Sequence, residues 1–201
     1  MNKNNRKTHL FQTAFKLFLI KGFEGVSISD IEKESGMTRG AITYYGSDKL
    51  GLFHNVVEQY LVQLQNLDSK IEGMKYNSLR DFIEAYVTSS QHTMNSLHSI
   101  DPNVKNGSRC YLSLALQICD YFPDLHEMFL RNLDQELLKW IDVIQNAIRT
   151  GEIKENIDVI NTAKVFMDIF TGRSFLDALR SGLDTVELKM QMLAIYNLLK
   201  K

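Results

Sequence analysis

Two prolines, two cysteines and one tryptophan are all that 201 residues offer of those types, and each scarcity excludes something. Two cysteines are no disulfide framework in a chain of this length. If Cys110 and Cys119 share one helix, their separation of about 13 Å and half a rotation is beyond disulfide reach, so they read as free thiols of a reducing compartment. No apolar run approaches the roughly 20 residues of a membrane helix. The basic start MNKNNRK leads to Lys16 and Lys21 set among apolar positions, not to a signal peptide's apolar core. A cytoplasmic protein without membrane contact is expected. His9, His54, His92, His98 and His126 include no i,i+4 pair, and no HExxH, nucleophile elbow or phosphate-binding glycine loop occurs. No enzyme, no cofactor and no metal site are therefore expected. Strand alternation, internal repeats and low-complexity segments are lacking as well.

What is present is helical periodicity. Leu10, Phe11, Ala14, Phe15, Leu17 and Phe18 recur at three- and four-residue intervals after a loose basic arm to about Asn5, and Gly22 ends that helix. Asp48 caps a connecting helix through Leu52, Phe53, Val56, Val57, Tyr60, Leu61, Leu64 and Leu67, broken by Gly73 to Ser78. Leu79 to about Leu97 forms the next, followed by a loop HSIDPNVKNGS. Arg109 to about Tyr121 is a shorter helix, and Pro123 restarts a long one that Gly151 closes. Asp158 caps a helix running to Gly182. Asp184 with Glu187 makes a capping box for Leu188 to Leu199. The expected fold is all-α with about nine helices.

Ser27 to Phe53, SISDIEKESGMTRGAITYYGSDKLGLF, organises the chain. Ser27 and Asp30 form a capping box that starts a helix near Ile28. Gly36 stops it in a left-handed conformation, and Thr38 caps a second helix beginning at Arg39. Two short helices across a sharp glycine turn read as a helix-turn-helix. Burying Ala41 and Ile42 against Ile28 and Ile31 leaves Arg39, Gly40, Thr43 and Tyr44 outward. Arg39 suits a guanine edge or a phosphate, Thr43 a base or thymine methyl, Tyr44 a phosphate, and Gly40 lets backbone approach a duplex. The formal net charge is −1, but residues 1–50 hold eight Lys/Arg against five Asp/Glu, which is +3 and leaves −4 for the rest. A basic head on an acidic body fits a nucleic-acid contact at one end.

The run from Phe15 through KGFEGVSISDIEKESGMTRGAITYYGSDKLGLF resembles the N-terminal domain of TetR-family transcriptional regulators. Its landmarks are Lys21-Gly22-Phe23, Ser27, Asp30-Ile31, Gly36, Thr38-Arg39-Gly40-Ala41-Ile42, Tyr45, Lys49 and Leu52-Phe53. The resemblance implies that Thr38, Arg39, Thr43, Tyr44 and Lys49 face DNA while Ile31, Ala41, Ile42 and Tyr45 pack the domain. It implies a DNA-binding head over residues 1–50 and an effector-binding, dimerising body over 51–201. Partners would be a double-stranded DNA operator, a small apolar or amphipathic effector and a second copy of the chain, and the role that of a repressor. Residues at helical spacing are core first, but Phe82, Tyr86, Met94, Tyr111, Phe129, Phe166 and Phe170 are candidates for a pocket wall. The last two helices would pair across the dimer through Ala163, Met167, Phe170, Leu188 and Ile195. Two alternatives stay open: a helical interaction or small-molecule-binding protein that has lost DNA reading, and a redox or electrophile sensor built on Cys110. The family usually has an aromatic where this chain has Thr43 and Gly46. Gly46 is either a left-handed cap or a packing hole; the hole is preferred, so Gly46→Phe is expected to stabilise the head.

Overall fold

The structure is a computed structural model that describes residues 3–62, 67, 71, 74, 76–100 and 106–201. Nine α-helices occur among the described residues: α1 Lys3–Lys21, α2 Ile28–Ser35, α3 Arg39–Gly46, α4 Lys49–Val57, α5 Leu79–Ile100, α6 Gly107–Tyr121, α7 Pro123–Arg149, α8 Val159–Ala178 and α9 Thr185–Leu199. The all-α reading is borne out. Outside the helices, among the described residues, one isolated bridge pairs Ile153 with Lys200. Leu64, Gly73 and the 101–105 part of the expected loop lie outside the described residues.

Local chemistry explains the helix ends. The Ser27 Oγ accepts from the Asp30 N–H at 3.1 Å while an Asp30 carboxylate oxygen accepts from the Ser27 N–H at 2.8 Å, so the capping box is complete. Asp48, Asn106, Asp158 and Asp184 each accept a backbone N–H at the start of α4, α6, α8 and α9. At α9 the box is only half formed: the Asp184 N–H goes to the Asp177 carboxylate at 2.9 Å instead of to Glu187. Glu152 reaches back from beyond α7 and accepts from the Leu79 and Arg80 N–H groups at 2.8 and 3.1 Å, capping α5 from a distant part of the chain. Several boundaries differ from the expected ones. The helix α1 takes in the supposed basic arm, α6 starts at Gly107 because Asn106 caps it, and α8 ends at Ala178, four residues before Gly182.

The α4 helix continues into a turn of π-helix, Glu58–Val62, that keeps Leu61 and Val62 buried. Two cores result. The first joins α1 through α4 with the π turn and with Leu114, Ile118, Phe122 and Leu125 of α6 and α7. The second joins α5, α7, α8 and α9 around Trp140, which stacks parallel on Phe166 at 4.7 Å and meets Phe82 edge-on at 4.7 Å.

Candidate nucleic-acid interface and internal cavity

The α2 and α3 helices pack through Ile31 and Ile42, both fully buried, with Ile28 and Ala41 partly covered beside them. Gly36, at φ +66°, turns the chain between them. That packing leaves Thr38, Arg39, Gly40, Thr43 and Tyr44 exposed along one side of α3. Tyr44 is 67% exposed and lies edge-on to Tyr45 at 5.0 Å. A Cβ built on Gly40 would meet nothing within 4 Å, so the helix surface there is open to a close partner. Thr43 donates its hydroxyl to the Arg39 carbonyl at 3.0 Å, which leaves its methyl and oxygen lone pairs for contact. Thr38 occupies the N-cap position of α3 but makes no capping hydrogen bond through its side chain, against expectation. Lys49 folds back, its ammonium 4.1 Å from the centre of the Phe23 ring. Its nitrogen is held by the head's own aromatic face, unlike the exposed residues of α3.

Gly46 fits neither expected reading. It is the last residue of α3, its φ is not positive, and it is buried. A Cβ at Gly46 would lie 2.5 Å from the Leu52 Cβ and 2.9 Å from the Leu52 nitrogen, so no hole exists there. The left-handed residue is Ser47, at φ +64°. Gly51 answers Gly46 across the joint, since a Cβ there would lie 2.1 Å from the Gly46 carbonyl oxygen. These two glycines allow the end of α3 and the start of α4 to touch backbone to backbone.

Behind the head, α6 makes polar contact with it. The Gln117 side chain accepts from the Phe23 N–H at 2.7 Å, and the Tyr121 hydroxyl donates to Glu24 at 2.5 Å. Glu24 accordingly raises the Tyr121 phenol. His54 of α4 meets Asp124, at the start of α7, at 2.7 Å. The other end of α6 borders an internal cavity of about 240 Å³ between α5, α6, α7 and α8. Of the expected pocket residues, Met94, Tyr111, Phe129 and Phe170 line it. Phe82, Tyr86 and Phe166 do not: they are buried in the second core behind the wall. Met167 lines the cavity too, while Ser90, Thr93, Ser108, Leu112, Leu133, Glu136, Thr171, Ser174 and Leu183 were not expected there. A usable signal existed for Glu136, an acid placed three residues after Leu133 and four before Trp140 on the apolar stripe of α7. Glu136 accepts from the Tyr86 hydroxyl at 2.7 Å.

The five residues expected at a dimer interface differ in their surroundings. Ala163 and Leu188 are fully buried in this chain's own core, and Met167 and Phe170 border the cavity. Ile195 is only partly covered. The exposed large apolar residues of this region are Ile160, Val165, Phe175 and Leu176 on α8, Leu179 just past its end, and Val186, Met190 and Leu198 on α9. Cys110 is half-buried and burial pushes its thiol up, the environment of an inert cysteine; Cys119 is exposed. Among the described residues, no cluster of three or more metal-ligating side chains occurs, and no helix is long and apolar enough to cross a membrane.

Residues 10–56 match the model of the bacterial regulatory proteins, tetR family. The chain is 24% identical over 157 residues to the HTH-type transcriptional repressor KstR2 of Rhodococcus jostii, covering 78% of this chain and 72% of that protein. A transcriptional regulator of the TetR family from Agrobacterium tumefaciens superposes with a TM-score of 0.72 at 15% identity, over 100% of both chains. The ketosteroid transcriptional regulator KstR2 of Mycobacterium tuberculosis superposes at 0.67 with 17% identity, over 100% of this chain and 97% of that one. The structural likenesses carry the all-helical fold, and the match over α1 to α4 carries the helix-turn-helix. The head, residues 10–56, is thus that of the bacterial regulatory proteins of the tetR family, and the whole chain shares the fold of TetR-family transcriptional regulators.

Proposed function

We propose that the chain acts as a homodimeric repressor whose α3 enters the major groove of an operator, and that a small molecule seated in the cavity releases it. The single observation carrying the DNA-reading part is the outer side of α3, where Arg39, Gly40, Thr43 and Tyr44 stand exposed while Ile42 is buried. In a helix-turn-helix the second helix docks this way, with side chains near its start on base edges and flanking groups on phosphates. Arg39 is the base or phosphate reader, Tyr44 a phosphate ligand, and Gly40 the point of closest approach. Thr38 flanks them, and Lys49 joins the contact once its side chain leaves Phe23.

The exposed apolar positions of α8 and α9 support a dimer. Phe175 and the Leu179 that caps the end of α8 lie one turn apart, as do Val186 and Met190 on α9, so each pair shares a face. Two such helices from each copy would form a four-helix interface. The exposed Gly172, whose Cβ would meet nothing within 4 Å, permits close approach on the same helix.

Release follows from α6, which borders the cavity with Ser108, Tyr111 and Leu112 and holds the head with Gln117 and Tyr121. A ligand that binds one placement of α6 better than another shifts the population of head spacings, and two half-sites tolerate only one spacing. The experiment is binding of the purified protein to DNA upstream of its own coding sequence at a series of salt concentrations. A specific complex that weakens steeply with salt supports the reading, since phosphate contact releases counterions. Absence of any sequence-preferring complex would refute it.

A further inference from the structure

The hydroxyls that line the cavity are not equally engaged. Ser90 and Thr93 donate within α5, to the Tyr86 carbonyl at 2.9 Å and the Ser89 carbonyl at 3.1 Å, and Ser108 donates to the Met94 sulfur at 3.3 Å. Their protons are spent. Tyr111 Oη on α6 and Ser174 Oγ on α8 are instead buried with no hydrogen-bond partner among the described residues. A buried hydroxyl in that state is costly, and an apolar side chain of the same shape serves the fold as well or better. The Tyr111 phenol keeps its proton, because burial first and then the Glu136 charge push it well above its ordinary value. Helices α6 and α8 pack against each other, so two unspent O–H donors belong to adjoining walls of one cavity. A carbonyl oxygen answers them: it has two lone pairs and no proton of its own. The remaining lining sets limits. Phe129, Phe170 and Met94 supply apolar surface, and no Lys, Arg or His occurs among the described lining residues, so a buried anion would find no counter-charge in the wall. An apolar cavity of ~150 Å³ holds benzene, so one of about 240 Å³ takes roughly ten non-hydrogen atoms, one ring and not a fused polycycle.

We propose that the cavity binds an uncharged molecule of one ring, or an apolar skeleton of like size, carrying a carbonyl oxygen to which the Tyr111 and Ser174 hydroxyls donate. The proposal rests on the reading of this cavity as the effector site and specifies the chemistry of the effector. Binding energy divides between apolar contacts that any skeleton of this size makes and hydrogen bonds that only an acceptor makes.

The test uses three planar probes of nearly equal size, titrated by calorimetry into the full chain without DNA: acetophenone, isopropenylbenzene, in which a methylene group replaces the ketone oxygen, and benzoate. A wall without free donors favours the alkene, since the ketone oxygen must leave water unpaired. Acetophenone is expected to bind at least as tightly as the alkene and ~tenfold or more tightly than benzoate. Tyr111→Phe keeps the ring and removes the donor, so acetophenone should weaken by ~tenfold while the alkene changes by no more than about twofold, and Ser174→Ala should act in the same direction. Because the phenol has no partner to lose, Tyr111→Phe should also melt no earlier than the parent. A wild-type preference for the alkene, benzoate binding that equals the ketone's, or no binding of any probe overturns the proposal whatever the variants do. An unchanged ketone-to-alkene ratio in both variants, or an earlier melt of Tyr111→Phe, overturns the assignment to these hydroxyls. Operator release is measured separately: acetophenone binding that leaves the DNA complex intact refutes the effector role and not the ligand class.

Discussion

Replacing Gly46 by alanine puts one methyl group where the structure has none to spare. The new Cβ would stand 2.5 Å from the Leu52 Cβ, 2.7 Å from its Cα and 2.9 Å from its nitrogen. Carbon atoms in good contact are ~3.5–4.0 Å apart, so the start of α4 must retreat by about 1 Å. Two of the three obstructing atoms are backbone, and Leu52 is itself fully buried, so no side-chain rotation relieves the clash. Overpacking of this kind costs about 1–3 kcal/mol. Alanine's better helix propensity returns at most ~1 kcal/mol of that. A net loss of about 1–2 kcal/mol lowers the melting temperature by roughly 2–8 °C in a chain of this size. Gly46→Phe should be worse, the reverse of what the family pattern suggests. Melting followed by circular dichroism at equal protein concentration is the assay. A melting temperature at or above the parent's for either variant would refute the reasoning and restore the packing hole.

Gly40→Ala provides the contrast: with open space around its Cβ it should stabilise α3 by up to ~1 kcal/mol yet weaken operator binding, as fluorescence anisotropy would show. Arg39→Ala should cost about 1–3 kcal/mol of operator affinity if it reads a base, with Tyr44→Phe a smaller loss and neither melting earlier; undiminished binding in both would move the reading surface elsewhere. Val186→Glu or Met190→Glu should yield monomers by light scattering, while Phe170→Glu should perturb the cavity and melting first; unchanged mass in the first two would displace the interface. Arg173 and the Asp184 N–H hold the Asp177 carboxyl below its ordinary 3.8, so its stabilisation is complete above that value and is lost as pH falls through the lowered one. Asp177→Asn should therefore melt earlier at neutral pH and show a flatter decline in acid; parallel profiles would deny the carboxylate that role.

The parts of this molecule legible in the sequence are those decided within a few residues. Ser27, Asp30 and Gly36 bracket α2 as expected because caps are local hydrogen bonds and a local φ, and the exposed side of α3 followed from which residues had to be buried. Gly46 was misjudged because its neighbour is the backbone of Leu52, brought there by a turn at Ser47 that no periodicity announces. The α8 and α9 helices are apolar nearly all round, so their pattern does not say which side turns inward. Ala163 and Leu188 were accordingly expected on the surface that Val165 and Val186 occupy. Phe82 and Phe166 were expected at the cavity for the same reason, although they belong to the layer around Trp140.

The first core draws Leu114, Ile118, Phe122 and Leu125 from α6 and α7 into the same packing as Phe18, Phe23 and Phe53. The reading head is thus not a detachable cassette. A fragment ending near residue 56 would bare the underside of Phe53 and Phe23, whose tilted rings lie 4.9 Å apart and are roofed in the whole chain by Phe122 and Tyr121. Grafting a foreign head onto this body, or this head onto another, therefore requires transplanting the α6–α7 elbow as well. Lineages that exchange operators by recombination would have to place their crossover beyond Leu125 or re-evolve four matched side chains.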